Sequence, residues 1–369
     1  MGAEERQRIR LSIAPLSRCR LRSRVRVYGS RGKAFVSLFG VLMFFLCAVA
    51  ACKSSSAPKQ SRGEAQKASK NKGSKDGGGI EGSDDSARAK IIARLEDDSI
   101  DESSGLVASR LNPDVFWTHN DSGEGPFIFA FDRQGRRRGV WRVEGAKARD
   151  WEDIAIGPGP LKNRPYIYVG DIGDNGSRRE EIVIYRFPEP AIEASDRESS
   201  RRNPRPTETA DVIRLQYPDE AHDAETLMVH PSSGDIYIVT KTLYASAVYK
   251  LNSTPSLERM NTLVLVGEIR LPSPLGSVIT GGDISPDGRR AVLCDYLGAY
   301  ELRLAASSSE DFDTIWKQAA VNVPLGPRRQ GEAVCYRLDG AAILATSEGR
   351  NAPLIEVGLL PPADKGSRK

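Results

Sequence analysis

The sequence predicts an all-β fold of the propeller class, with five four-stranded blades closed by a strand from the N-terminal side. Three observations support this prediction. The apolar segments are short and lack helical periodicity, and a similar unit recurs at roughly 50–70 residues. Turn signals also separate the segments at regular intervals. These signals are NPD (112–114), GPG (157–159), PSSGD (231–235), SPDG (285–288) and LDG (338–340).

Five units can be aligned, and each predicts one blade. Every unit has an acidic residue, an apolar strand, a turn, a second strand that ends in polar residues, and a third strand. The units begin at Glu102, Trp151, AETLMV (224–229), GGDIS (281–285) and GEAV (331–334). Four of them continue into an outer strand: RGVWRVEG (138–145), ADVIRLQY (210–217), TLVLVGEIRL (262–271) and KQAAVNVPL (317–325). A repeated four-stranded unit is the signature of a propeller.

The fifth unit lacks an outer strand, because the chain ends in GLLPPADKGSRK (358–369). KIIARLE (90–96) precedes the first unit and has no partner strand of its own. We therefore predict that this segment completes the last blade and closes the ring. A ring of six blades is the alternative, if the polar insertion at 188–210 contains strands instead of loop.

The first 51 residues predict the location of the protein rather than part of its fold. Residues 1–33 contain ten Lys and Arg, residues 34–51 carry no charge, and Cys52 follows. This is the pattern of a secretory signal peptide. VAAC (49–52) resembles the lipobox of bacterial lipoproteins, in which the cysteine is acylated. The sequence thus predicts a signal peptide over 1–51 and a lipid anchor at Cys52. A transmembrane helix over 34–51 is the alternative.

A signal peptide followed by a lipid anchor predicts a periplasmic or cell-surface location. Lys53 stands where an aspartate would resemble an inner-membrane retention signal, which favours the outer membrane. Residues 52–89 hold one large aliphatic side chain, Ile80, and predict a disordered tether. The propeller is expected over 90–360 and a disordered tail over 361–369.

Charge is divided unevenly along the chain. Residues 1–89 carry a net charge of +11, whereas residues 90–369 carry −7. The folded part is therefore acidic, which argues against a nucleic-acid partner. Two cysteines of this part, Cys294 and Cys335, lie in apolar strands. The sequence allows either two buried free thiols or a disulfide between these cysteines.

The propeller prediction brings two sets of polar residues to one opening of the central channel. The first strand of a blade starts at this opening, which we call the mouth, and the second strand returns to it. Strand starts supply Glu102, Glu152, Glu225, Asp283 and Glu332, with Asp150 and Asp153 beside Glu152. Strand ends supply Asn120, Asp121, Asp171, Asp174, Asn175, Lys241, Asp295 and Glu348.

These acids suit two different roles. One acid per blade is typical of a structural cap that accepts backbone N–H groups between blades. DWED (150–153) and GDIGDN (170–175) exceed that number, and crowded carboxylates repel one another unless a cation neutralises them. Carboxylate and amide oxygens suit Ca²⁺. The expected calcium ligands are Glu152, Asp171, Asp174 and Asn175.

Several motifs carry a resemblance to known propellers. The motifs are WTHNDSG (117–123), DWEDIA (150–155), VGDIGDN (169–175), HDAETL (222–227) and GEAV (331–334). They resemble a group of secreted bacterial propeller lipoproteins, and more distantly the phytase-like esterase and gluconolactonase-like propellers. The latter resemblance implies a catalytic calcium, with Glu152 or Glu332, Asn175 and Asp295 as the counterparts of its ligands. Gluconolactonase-like enzymes have six blades, in contrast to the five predicted here.

Other catalytic chemistries find little support in the sequence. It contains no glycine-rich phosphate loop, no Cys-x-x-Cys pair and no Gly-x-Ser-x-Gly elbow. His119 and His222 each neighbour an aspartate and are candidate general bases, whereas His230 precedes a turn. Trp117 and Trp151 suit either sugar stacking or core packing.

Two functional classes remain. The first is a tethered scaffold that binds a protein or glycan through its acidic mouth. The second is a metal-assisted hydrolase of phosphate esters, lactones or glycosides. Because no nucleophile or base stands out, the sequence favours the scaffold.

Overall fold

A computed structural model describes residues 89–121, 123, 125–305 and 311–359, and within these ranges the chain is built almost entirely from strands. Predictions for the signal peptide, Cys52, the tether and the tail lie outside the described residues. The strands, in chain order, are β1 (Ala89–Arg94), β2 (Ser103–Ala108), β3 (Val115–Asn120), β4 (Phe127–Asp132), β5 (Arg137–Arg142), β6 (Trp151–Pro158), β7 (Pro165–Asp171), β8 (Ile182–Pro188), β9 (Arg205–Pro206), β10 (Asp211–Gln216), β11 (Ala224–Val229), β12 (Ile236–Thr240), β13 (Ser246–Leu251), β14 (Asn261–Thr262), β15 (Val264–Ile269), β16 (Gly281–Ile284), β17 (Arg290–Cys294), β18 (Ala299–Arg303), β19 (Val321–Val323), β20 (Ala333–Tyr336), β21 (Ala342–Thr346) and β22 (Pro353–Gly358).

These strands form five sheets, one for each predicted blade. Blade 1 has the order β2-β3-β4-β5-β9, and blade 2 has the order β6-β7-β8-β10-β14. Blade 3 is β11-β12-β13-β15 and blade 4 is β16-β17-β18-β19. Blade 5 is β20-β21-β22-β1. The prediction of a five-bladed propeller is confirmed.

The first strands of the blades contact one another in a closed cycle. β2 packs against β6 and β20, β11 packs against β6 and β16, and β16 packs against β20. Such a cycle requires the five sheets to stand around a common axis. The first strands therefore line the central channel.

The ring is closed by the N-terminal strand, as predicted. β1 pairs antiparallel with β22, so that Ala89 lies opposite Val357 and Arg94 lies opposite Pro353. The pairing continues past the strand, because the Leu95 N–H donates to the Ala352 carbonyl oxygen over 3.0 Å. Leu95 is itself buried. One blade thus joins the two ends of the described chain, and this pairing removes the open edge of blade 5.

The insertion at 188–210 forms no sixth blade. It contains a 3₁₀ helix over Ala194–Glu198 and the two-residue strand β9, which pairs in parallel with β5. The prediction of polar loop therefore missed a short fifth strand at the outer edge of blade 1. The edge of blade 2 is extended in the same way, because β14 pairs in parallel with β10.

Aromatic side chains of blades 1 and 2 share one apolar cluster of the core. Trp117 packs edge-on against Trp141 with 4.9 Å between ring centroids, and its Nε1–H donates to Glu189 Oε1 over 2.9 Å. Trp151 is equally buried, and its Nε1–H donates to the Lys147 carbonyl oxygen. Neither ring is available to stack on a sugar, so core packing is the role of both.

The two cysteines of the propeller are free thiols, Cys294 and Cys335, and both are buried. They belong to apolar clusters of the core. Within the part of the chain that the structure covers, no helix is long and apolar enough to span a membrane.

Candidate functional site

Three first strands enter the mouth in the same register. At the start of each, a backbone carbonyl accepts a hydrogen bond from a residue one or two positions beyond the second strand: Asp150 from Gly173, Asp223 from Lys241, and Gln330 from Glu348. A glutamate stands two residues after each of these carbonyls. These equivalent glutamates are Glu152, Glu225 and Glu332.

A β-bulge accompanies two of these glutamates. The pairing of β6 with β7 shifts register between Trp151 and Asp153, at the position of Glu152. The pairing of β11 with β12 shifts in the same way at Glu225. A bulge inserts one residue into a strand and redirects its side chain. The side chains of Glu152 and Glu225 therefore depart from the regular alternation of side chains between the two faces of their sheets.

Glu152 belongs to a group of three carboxylates. One oxygen each of Asp121, Asp150 and Glu152 lies within 4.8 Å of the others. Gly173 allows this approach, because a Cβ atom there would lie 2.0 Å from Glu152 Oε1 and 2.7 Å from Asp150 Oδ2. Any side chain at position 173 would displace these carboxylates. The three acids and this glycine have the composition of a divalent-cation site.

Burial and mutual repulsion change the titration of this group. Burial, together with nearby Asp121, raises the pKa of Asp150 to about 6. Burial also raises the pKa of Glu152 well above its ordinary value, with further increases from Glu225 and Asp121. Both acids would be stabilised in their charged form by a cation.

A second group of polar residues lies beside the first. The Lys241 ammonium donates to Glu225 Oε1 and lies 5.5 Å from the centre of the Tyr296 ring. Burial raises the pKa of Glu225 to about 8 although Lys241 lowers it. Burial alone would lower the pKa of Lys241, but Glu225 and Tyr296 raise it. We therefore expect Lys241 to stay protonated.

Blade 5 contributes two more acids, Glu332 and Glu348. The Gln330 amide donates to Glu332 Oε1 over 3.1 Å and to Glu348 Oε1 over 2.7 Å. Burial and the neighbouring Glu348 raise the pKa of Glu332 to about 8. Burial raises the pKa of Glu348 to about 7, and Asp121 of blade 1 adds to this increase. The mouth is thus lined by interacting acids from several blades.

Three of the expected calcium ligands lie apart from this group. Asp171 forms an ion pair with Arg179 over 2.8 Å. Asp174 Oδ2 accepts backbone N–H groups of Arg178 at 2.5 Å and Arg179 at 2.6 Å. Asn175 is exposed. Of the four expected ligands, only Glu152 therefore joins the carboxylate group with Asp121 and Asp150. The two aspartates of GDIGDN instead bind residues of the loop that follows them.

Asp153 and Asp283 connect adjacent blades instead of facing the mouth. Asp153 Oδ2 accepts the Leu227 N–H of blade 3 over 2.9 Å. Asp283 Oδ2 accepts the Tyr336 N–H of blade 5 over 2.8 Å. These two acids have the capping role that the sequence left open.

Asp295 and Asn120 organise turns near the mouth. Asp295 Oδ1 accepts the N–H groups of Leu297 at 2.8 Å and Gly298 at 2.7 Å. The Asn120 amide donates to the Ser99 carbonyl oxygen at 2.8 Å. Asp295 is absent from the grouped carboxylates of the described chain, so the ligand set implied by gluconolactonase-like enzymes is not assembled around Glu152. Glu102 is exposed, but partial burial of its carboxylate, together with nearby Asp121, raises its pKa.

None of the three histidines belongs to the carboxylate group around Glu152. His119 is fully buried, its Nδ1–H donates to the Asn120 carbonyl oxygen, and burial lowers its pKa to about 4. His222 contacts Asp219 at 3.1 Å and the Tyr249 hydroxyl at 2.9 Å. His230 contacts the Gly288 carbonyl oxygen in the turn region at the other end of the blades.

Sequence reasoning missed three members of the site. Asp223 and Gln330 occupy the position of Asp150 in their own blades, and Gly173 makes room for the carboxylates. The spacing offered a signal for the first two, since DWE, DAE and QGE each place a polar residue two positions before the glutamate.

No protein-family model matches the chain, and no curated protein matches it in sequence. Among solved structures, a luciferin-regenerating enzyme is similar with a TM-score of 0.36 and 10% sequence identity. The match covers 73% of this chain and 94% of that enzyme.

Proposed function

We propose that this protein is a membrane-tethered, extracytoplasmic propeller that binds a divalent cation at its acidic mouth and, through it, a protein or glycan partner. The observation that carries this proposal is the convergence of Asp121, Asp150 and Glu152, whose oxygens lie within 4.8 Å. Three carboxylates provide part of the 6–8 oxygen ligands that Ca²⁺ takes, so positions remain for water and for oxygens of a partner.

Exposed apolar residues on the same face support a binding role. Leu243 is 62% exposed, Tyr244 is 86% exposed and Leu297 is 54% exposed. All three lie in loops that follow second strands, and these loops surround the mouth. Large apolar side chains beside a polar site are typical of interaction surfaces. We infer that the rim contacts the partner while the cation fixes its position.

The cation can be tested with thermal melts of the full chain in zwitterionic nanodiscs, in chelator and in millimolar calcium. A ligand that binds only the folded state stabilises it by about 2.7 kcal/mol at a hundredfold excess over Kd. We expect calcium to raise the melting temperature of the wild type. Asp150→Asn with Glu152→Gln should abolish that increase, because it removes two of the three charges.

Asp174→Asn is the matched control, since Asp174 holds a loop of the same blade through backbone hydrogen bonds. Its stability should fall by the same amount with and without calcium. A wild-type melting temperature that is indifferent to calcium, magnesium and chelator would refute the cation site.

The raised pKa values favour metal-assisted hydrolysis as a second candidate function. Burial raises the pKa of Glu332 to about 8 and that of Glu348 to about 7, a range that suits proton transfer near neutral pH. A panel of phosphate esters, lactones and glycosides, assayed with calcium, tests this function. Activity that Glu332→Gln reduces by about 10²-fold or more would favour the hydrolase over the scaffold.

The membrane tether rests on the sequence around Cys52 and has its own test. Cys52→Ser removes the thiol that would accept lipid, so the variant should leave the membrane fraction or accumulate as an uncleaved precursor. Unchanged membrane association at normal processed size would instead support the transmembrane alternative.

A further inference from the structure

The end of the channel opposite the mouth contains a cavity of about 360 Å³. It is lined by the last residues of first strands and by the turns that follow them. Ala108 ends β2, Ile284 ends β16, Tyr336 ends β20, and Pro231 follows β11. The six residues of β2 separate the two ends by roughly 20 Å. This cavity is therefore distinct from the acidic site.

One cationic side chain, Arg110, lines this cavity. Arg110 follows the end of β2, and its backbone N–H donates to Glu189 Oε2 over 3.1 Å. Among the residues that the structure describes, its guanidinium makes no hydrogen bond and no ion pair within 4.0 Å. Burial lowers the pKa of Arg110, although an arginine stays protonated in proteins. A desolvated and unpaired guanidinium is unfavourable.

The acids nearest to Arg110 are engaged elsewhere. Glu189 Oε1 accepts the Trp117 Nε1–H at 2.9 Å, and Glu189 Oε2 accepts two backbone N–H groups. Both oxygens of Asp283 accept backbone N–H groups, from Ile284 and Tyr336, each over 2.8 Å. Their hydrogen-bonding capacity is directed at the fold, so the guanidinium donors remain available to a ligand.

The remaining walls are mostly apolar. They include Ile156, Pro286 and Leu338. The Tyr336 hydroxyl already donates a hydrogen bond to Glu301 Oε1 over 2.9 Å, so its proton is not available to a ligand. The Asp283 carboxylate also lines the cavity, where both its oxygens are held by backbone N–H groups. A cavity of this size, with mostly apolar lining residues and few charged groups, is typical of small-molecule sites. Since one cation and the Asp283 carboxylate line the cavity, a singly charged anion matches it better than a phosphate dianion.

We propose that this cavity binds an organic monocarboxylate, with the carboxylate on the Arg110 guanidinium and the apolar body against the ends of the first strands. A planar guanidinium can hold a carboxylate through two parallel hydrogen bonds. This site is independent of the cation proposed for the mouth.

Hexanoate is the probe for the test, with hexan-1-ol and inorganic phosphate as comparison ligands. The full chain in zwitterionic nanodiscs would be labelled at isoleucine methyl groups, and the shifts of Ile156 and Ile284 would be followed by NMR. We expect hexanoate to shift both methyl signals saturably. Hexan-1-ol should bind at least about tenfold more weakly, because it lacks a charge-assisted hydrogen bond. Phosphate should leave both signals unchanged.

Arg110→Met should weaken hexanoate binding at least about tenfold for the same reason. It should leave the ligand-free melting temperature unchanged or higher, since it removes an unpaired charge. Arg110→Lys should give an intermediate affinity. Arg337→Met is the control, because Arg337 adjoins the lining residue Leu338 but pairs with Asp339 and Glu356.

The proposal is overturned if hexanoate shifts neither methyl signal, if it binds Arg110→Met as tightly as the wild type, or if hexan-1-ol binds equally well. Phosphate binding in place of hexanoate would overturn the assignment of a monocarboxylate.

Discussion

Glu152 and Asp153 are neighbours in β6, yet the structure places them in two different regions. Asp153 lies at the seam between blades 2 and 3, where its oxygens accept the N–H groups of Ile154 at 2.8 Å and Leu227 at 2.9 Å. Glu152 lies at the mouth among other carboxylates. Burial raises the pKa of both acids, but backbone hydrogen bonds oppose this effect only at Asp153.

This difference distinguishes a structural acid from a ligand acid. A carboxylate whose two oxygens accept backbone N–H groups has little capacity left for a cation. Asp283 repeats the structural arrangement between blades 4 and 5. A carboxylate at a bulge, surrounded by other acids, is stabilised only when something neutralises it. Desolvation alone cannot separate the two classes, whereas hydrogen-bond partners can.

The largest effect on the seams should come from removing the closing strand. Deletion of residues 90–97 leaves β22 with an open edge and exposes the surface that Leu95 covers. We expect a loss of several kcal/mol from a stability that is typically about 5–15 kcal/mol. Thermal and urea unfolding would measure this loss. Deletion of eight tether residues, 70–77, is the control, and equal melting temperatures for both deletions would contradict the closure.

A substitution at the seam should cost more than one at the mouth. Asp153→Ala leaves the Ile154 and Leu227 N–H groups without their acceptor, which should cost about 2–4 kcal/mol. Glu152→Gln removes one of several repelling charges, so we expect it to be neutral or stabilising without metal. Urea unfolding of both variants in chelator would measure the difference. Equal losses would remove the distinction between the two acids.

The sequence predicted the blades because repetition and turn signals recur over the whole domain. The closing strand could be predicted because the fifth unit lacks an outer strand, whereas the segment before the first unit has no partner strand. β9 had no such signal, since it consists of Arg205 and Pro206 within a polar insertion and depends on the edge that β5 offers. A strand determined by its partner cannot be identified from its own residues.

The site was only partly predictable, because the direction of a side chain depends on local backbone geometry. The acids of the first strands were found, but the bulge that separates Glu152 from Asp153 is not visible in the sequence. Asp171 was assigned to a cation because it stands among acids. The structure pairs it with Arg179, eight residues later in the chain, which a count of acids does not consider.

The smallest effect expected from the difference between mouth acids and seam acids is the pH dependence of stability in the metal-free protein. The folded-state pKa values of about 6 for Asp150, 7 for Glu348 and 8 for Glu332 exceed the unfolded values of about 4. Between pH 4 and pH 8 the folded state therefore holds more protons than the unfolded state. Stability should fall as the pH rises through this window.

Calcium competes with these protons, so its stabilising effect should be larger at pH 8 than at pH 5. Melting temperatures at the two pH values, in chelator and in calcium, would show this. Asp150→Asn with Glu332→Gln should flatten the metal-free decline, because neither replacement titrates. Asp98→Asn, at an exposed acid that does not belong to the grouped carboxylates, should leave the decline unchanged. A metal-free melting temperature that rises from pH 5 to pH 8 would contradict the raised pKa values of these mouth acids.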